Sequence, residues 1–100
     1  MSFSPPPSSP LDQLGEFFAL LSDWDHLKLL CSLYQAPKTA AAIATELNLP
    51  PAQVTQILSK LVQASVIVRN ISDLEIQYEI RDPAVQDLCR LVLDSLAREA

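Results

Sequence analysis

Few residues in this chain have the type and spacing to do chemistry. Cys31 and Cys89 stand 58 positions apart, and His26 is the single histidine. With no Cys-x-x-Cys and one histidine, a zinc cage lacks ligands and a Cys/His nucleophilic pair lacks proximity. Such thiols ordinarily pack as small, buried, reduced hydrophobes. Asp82, Asp87 and Asp94 have no histidine among them to build a transition-metal site. Asp23 and Asp25 suit the start of a helix, where the dipole favours negative charge, better than an acid–base pair. His26 is expected on a helix surface or at an interface. Gly15 is the only glycine, so no Gly-rich phosphate loop is present. The sequence therefore predicts no metal, no cofactor and no enzymatic activity.

A second set of side chains suits recognition rather than reaction. Gln53, Thr55, Gln56, Ser59 and Lys60 crowd one segment, and Arg69 follows. Gln can bond adenine bidentately and Thr can meet a thymine methyl, while Lys and Arg neutralise phosphate. The global charge works against them, because a net charge of −5 and a pI near 4.5 repel nucleic acid at long range.

These residues must be held by a small fold. One hundred residues suffice for one domain, and 49% apolar against 19% charged types gives it a core. Four of the eight prolines fall in residues 1–10, MSFSPPPSSP, which reads as a disordered Pro/Ser-rich arm before a domain at 11–100. No apolar run approaches the ~18–20 residues of a membrane span, and no signal peptide opens the chain. A soluble cytoplasmic protein with no membrane partner is expected.

From Leu11 the apolar residues recur at helical spacing through Leu14, Phe17, Phe18 and Leu21. Ser22-Asp23 offers a cap for a second helix, which Pro37 ends by disfavouring the helical region at Ala36. Thr39 caps a third helix, Ala40 to Leu47. Asn48 tolerates a left-handed helix end, and the pair Pro50-Pro51 opens a fourth helix running to about Ala64. The period then changes to two. Val66 to Ile71 and Leu74 to Ile80 read as strands around a Ser72-Asp73 turn, the second half-buried with Glu75, Gln77 and Glu79 outward. Asp82-Pro83 opens the last helix, with Val85, Leu88, Cys89, Val92, Leu93 and Leu96 apolar. The fold class is mostly α with a β-hairpin, in the order α-α-α-α-β-β-α. That is the winged helix-turn-helix order, as against a plain bundle with an appended hairpin.

The segment from Thr39 to Leu61 carries Ile43, Ala44, Leu47, Leu49, Val54, Leu58 and Leu61 at the spacing of two short, steeply crossing helices. With Phe17 to Asp23, His26 to Leu30, Leu61 to Ile67, Ile76 to Ile80 and Asp82-Pro83, it resembles the ArsR/SmtB-type winged helix-turn-helix transcriptional repressors. The resemblance implies a homodimer paired through the first and last helices, with Leu14, Phe17, Phe18, Leu21, Leu88, Val92 and Leu96 as dimer interface. It implies that the Pro51 helix enters the major groove of a double-stranded operator, with the hairpin as wing and with Gln53, Thr55, Gln56, Ser59, Lys60 and Arg69 as the candidate DNA-binding residues. It also matches Cys31 to the second-helix cysteine of sulfide- and persulfide-sensing members, whose partner lies on the last helix. Cys31 and Cys89 thus become a candidate redox switch, with core packing as the other reading.

The chain departs from that pattern in its charges. Between Thr39 and Arg81, Lys60, Arg69 and Arg81 face Glu46, Asp73, Glu75 and Glu79. Family wings are typically basic and contain glycine, whereas Ser72-Asp73-Leu74-Glu75 is acidic, and Ser65 stands where the family has glycine. Two functions follow. One is a dimeric DNA-binding regulator without a metal site. The alternative is a winged-helix module that has exchanged DNA for a protein partner, its acidic wing meeting a basic surface or a related regulator.

Overall fold

A computed structural model describes Gly15 and residues 18–99; the arm 1–10 and the apolar positions Leu11, Leu14 and Phe17 lie outside the described residues. The described elements are α1 (18–21), α2 (Trp24–Gln35), β1 (Lys38–Thr39), α3 (Ala40–Leu47), α4 (Pro51–Gln63), β2 (Ile67–Ser72), β3 (Glu75–Ile80) and α5 (Pro83–Glu99). This is a winged helix-turn-helix, mostly helical with an antiparallel hairpin.

The helix starts follow from local chemistry. Asp23 sits in extended conformation and its Oδ1 accepts from the amides of Asp25 at 2.9 Å and His26 at 3.4 Å, pairing donors that α2 leaves open. Thr39 Oγ1 accepts from Ala42 N at 3.2 Å to start α3, and Asp82 Oδ1 accepts from Ala84 N at 2.9 Å to start α5. His26, expected on a helix surface or at an interface, is buried within the protomer. The end of α1 folds back over the first turn of α2, and Nδ1 lies 2.9 Å from the Leu20 carbonyl. A carbonyl only accepts, so Nδ1 carries the hydrogen.

Helix α4 is entered and left through the same backbone closure. Asn48 is left-handed at φ 54°, Asn48 N donates to Thr45 O, and Leu49 N donates to Ala44 O. Ser65 is left-handed at φ 61°, with Ser65 N to Val62 O and Val66 N to Leu61 O. Each is a Schellman motif, with an apolar pair across it: Leu49 with Ala44, and Val66 with Leu61. Between them Val54, Ile57, Leu58 and Leu61 are buried against Ile43 and Ala44 of α3, Leu29, Leu30 and Leu33 of α2, and Val66 and Ile67. Truncating a side chain as buried as Leu58 costs about 2–5 kcal/mol, so the placement of α4 is strongly determined.

The sheet differs from expectation in three ways. A third strand is present, because Pro37 holds Ala36 extended (φ −170°, ψ 154°) and the chain continues extended through β1. There Lys38 pairs with Tyr78 and Thr39 with Gln77, giving the strand order β1-β3-β2. Second, the turn is Asp73-Leu74 rather than Ser72-Asp73, since Ser72 pairs with Glu75, and neither turn residue has a positive φ. Third, only the base of the hairpin is buried. Ile67 and Ile80 join the core, but no other element reaches the tip, which leaves Ile76 at 44% and Leu74 at 97% exposure.

The last core residue bridges α5 to α2. Cys89 is buried, Cys31 is half-buried, and the two thiols are neighbours. Burial pushes both thiols up. Cys89 rises from 9.0 to about 12, first by desolvation and then through the charge that Cys31 acquires.

Two predictions follow from these positions. A side chain at left-handed Ser65 carries a penalty that glycine lacks, so Ser65→Gly should stabilise the fold by about 0.5–1 kcal/mol. Thermal unfolding should show a rise of several degrees for Ser65→Gly and a fall for Ser65→Val; a fall for both would contradict the left-handed closure. Between pH 9.0 and about 12 the unfolded chain releases the Cys89 proton while the folded chain keeps it, so stability falls as pH rises through that window. Denaturant titrations across pH 9–11 should give a shallower fall for Cys89→Ala, by up to about one proton; identical slopes would contradict the assignment.

Candidate nucleic-acid interface

Opposite its buried side, α4 presents Thr55, Gln56, Ser59 and Lys60 to solvent. The Thr55 hydroxyl donates to Pro51 O at 3.0 Å, and the residue is exposed. Gln53 behaves differently from these four. It is half-buried, and its Nε2 donates to Asp25 Oδ2 at 2.8 Å; the other oxygen of that carboxylate meets Lys28 Nζ at 3.3 Å. Gln53 thus ties the first turn of α4 to the first turn of α2, and its amide nitrogen is engaged within the protein.

The polar strip of α4 continues onto the wing. Arg69 of β2 is exposed and sits directly across from Tyr78 of β3. Together with Ser59, Val62 and Gln63 of α4 they line a pocket of about 150 Å³ at the junction of helix and hairpin. A guanidinium, a phenol, a serine hydroxyl and a carboxamide there offer the donors that a phosphate oxygen requires. Tyr78 and Gln63 were not among the sequence candidates. Tyr78 becomes visible from the hairpin register once the turn is centred on Asp73-Leu74.

The register also sorts the charges. Arg69 and Tyr78 share one face of the hairpin with Ile67 and Ile80, while Glu75, Gln77 and Glu79 lie on the other face. Glu79 accepts from Asn70 Nδ2 at 2.7 Å. Glu46 accepts from Lys38 Nζ at 2.7 Å and Ser32 Oγ at 2.6 Å. The Lys38 ammonium and the Ser32 hydroxyl keep its carboxyl below the usual carboxylate range. Lys38 therefore cancels Glu46, and two of the three remaining carboxylates of this segment, Asp73 and Glu75, stand at the hairpin tip.

The remaining sequence candidates divide by burial. Among the dimer-interface set, Leu14 and Phe17 lie outside the described residues. Leu21 belongs to the core of the protomer, because α1 folds back onto it, and Leu88 packs partly against that core. Phe18 at 60% and Leu96 at 51% exposure are at the surface, and half-buried Val92 lies close to Leu96 on α5. Val92 and Leu96 line a groove of about 210 Å³ between α2, α3 and α5, shared with Trp24, Leu27, Leu47 and Cys31. Among the described residues no three of His, Cys, Asp and Glu converge as a metal site, and no helix is long and apolar enough to cross a membrane.

No protein-family model and no curated protein matches the sequence. Solved structures do. The transcriptional repressor PagR of Bacillus anthracis is 30% identical, with 82% of this chain and 94% of that chain covered at a TM-score of 0.75. The homodimeric winged helix-turn-helix DNA-binding domain of Mb0332 from Mycobacterium bovis, a possible ArsR-family regulator, is 23% identical over 99% of this chain and 91% of that one, with a TM-score of 0.78. NolR from Sinorhizobium fredii shares the fold at 19% identity and a TM-score of 0.80, with 94% of each chain covered. With this fold, and with that identity to a repressor over nearly its whole length, the chain belongs to the ArsR/SmtB-type winged helix-turn-helix transcriptional regulators, a family of regulators and not of enzymes.

Proposed function

We propose that the chain is a homodimeric, metal-independent repressor that binds double-stranded DNA through α4 and the base of the wing, with residues 11–100 as its domain. One observation carries this reading: the exposed strip Thr55, Gln56, Ser59 and Lys60 runs into the Arg69–Tyr78 pocket while Glu75 and Glu79 lie on the opposite hairpin face. Gln56 reads a base edge, with the Thr55 methyl against a thymine. Lys60 and Arg69 neutralise phosphates, and the Tyr78 and Ser59 hydroxyls bond the one seated beside Arg69. Gln53 holds the helix at its angle rather than reading bases. The exposed apolar side chains Phe18 and Leu96 supply the two-fold contact, as the homodimeric state of the Mb0332 domain supports. The alternative, a protein-interaction module, is favoured at one place only, the acidic hairpin tip.

Cys31 and Cys89 act as the switch on this binding, a reading supported by their being neighbours between α2 and α5. Cys31 opens onto the α2–α5 groove, so an oxidant reaches it first, and Cys89 stands behind it to resolve the adduct. The two thiols give two electrons to the oxidant, lose two protons and form one S–S bond of about 2.05 Å. The bond ties α5 to α2, and α2 carries Asp25, which holds Gln53 of α4.

Fluorescence anisotropy on duplex DNA between 50 and 200 mM salt tests the interface. Lys60→Ala and Arg69→Ala should each weaken binding to all sequences alike and lower the salt slope by roughly 2 per dimer, about 0.9 per lost contact. Gln56→Ala should instead relax preference at one base position of each half-site. Unchanged binding in all three would place the interface elsewhere. For the switch, treatment with diamide should yield a protein lighter by two hydrogens, with Cys31 and Cys89 linked in its peptide map and lower DNA affinity; two alkylatable thiols after treatment would end that assignment.

A further inference from the structure

We propose that the hairpin tip is a docking site for another protein, one whose surface offers an apolar pocket rimmed by Lys or Arg, and that the tip stays off the DNA. Ile71 and Ile76 face each other across the hairpin, with the apex residue Leu74 beyond them on the same side of the strand alternation. They are 80%, 44% and 97% exposed. None belongs to the core, which ends at Ile67 and Ile80. Together they form one continuous exposed apolar patch, and the largest such patch on a soluble protein is often functional.

Leucine at the apex also contributes nothing to the turn. Two-residue hairpin turns favour Asn, Asp and Gly, whose backbones suit the twist, and a large apolar side chain there serves only what it touches. Two short strands joined by two residues hold the three side chains on a stiff projection, so little ordering cost is left for binding.

Charge selects the occupant. Asp73 and Glu75 flank Leu74 on either side, and the nearest cation of the hairpin is Arg69, midway along β2 and next to Ile71 on the same face. Seating this tip in a minor groove would press two carboxylates per wing against phosphates, and anionic lipid would repel it in the same way. A protein pocket with a basic rim answers both features at once: its apolar floor takes Leu74, Ile71 and Ile76, and its cations pair with Asp73 and Glu75. Proteins that themselves bind nucleic acid carry such basic surfaces, which would bring the partner to the same duplex.

Backbone-amide NMR of the full chain tests this with three probes: a 12-residue amphipathic Lys/Leu peptide, a Lys/Ser peptide of equal length and charge, and a 20-base-pair duplex. The Lys/Leu peptide should shift amides 71–76, with affinity reduced at least tenfold by Leu74→Ser and at least tenfold for the Lys/Ser peptide. Equal binding of the two peptides would overturn the proposal, as would shifts confined to the α2–α5 groove. Shifts of amides 73–75 by the duplex would overturn it in favour of a DNA-reading wing. A duplex that shifts neither α4 nor the tip would count against the DNA interface and leave the docking site standing.

Discussion

Helix α4 is bracketed by two left-handed residues, Asn48 and Ser65, and pinned between them by an apolar face that the rest of the protein buries. Everything proposed for the surface depends on that constraint. Because Val54, Ile57, Leu58 and Leu61 are committed inward, Gln56, Ser59 and Lys60 have no choice but to face solvent. The backbone closure at Ser65 then sends the chain directly into β2, and this brings Arg69 beside Ser59 rather than at a distance. The closures at the helix ends therefore determine which side chains meet at the helix–wing junction.

Electrostatics in this protein is a matter of placement more than of totals. A net charge of −5 opposes nucleic acid in the far field, but the field near α4 is set by a few neighbours. Glu46 is neutralised by Lys38, and Glu79 is turned to the far face and bonded by Asn70. The uncompensated pair, Asp73 and Glu75, is carried to the end of a projecting hairpin. Separation of charge along the wing, cationic at Arg69 and anionic at the tip, is what allows two different kinds of partner to be assigned to one small domain.

Much of the scaffold was legible because it is local. Asp23, Thr39, Asn48 and Pro51 act within one helical turn of themselves, and the change of apolar period from 3.6 to 2 marks where helices yield to strands. The features that were not legible depend on distant partners or on geometry. Strand β1 is two residues long and forms only because β3 offers it an edge. Gln53 looks like a base reader by type, yet its partner Asp25 lies 28 positions away on another helix. The hairpin shows how a small error spreads. A turn at Ser72-Asp73 would pair Arg69 with Ile76, whereas the observed turn one residue later pairs it with Tyr78. The face of each residue survives that slip because both partners have the same parity, but the pairing of Arg69 with Tyr78 does not. The alternation of Leu74, Ile76, Tyr78 and Ile80 was likewise readable, while the depth to which the core reaches along it was not.

The measurement that bears most directly on the account is selection from random duplex DNA by the intact protein at low and at moderate salt. A homodimer reading bases through paired α4 helices predicts enrichment of a two-fold symmetric site with half-sites about one helical turn, roughly 34–36 Å, apart. Recovery of unenriched sequence at both salt concentrations, or of a site with no two-fold symmetry, would contradict it.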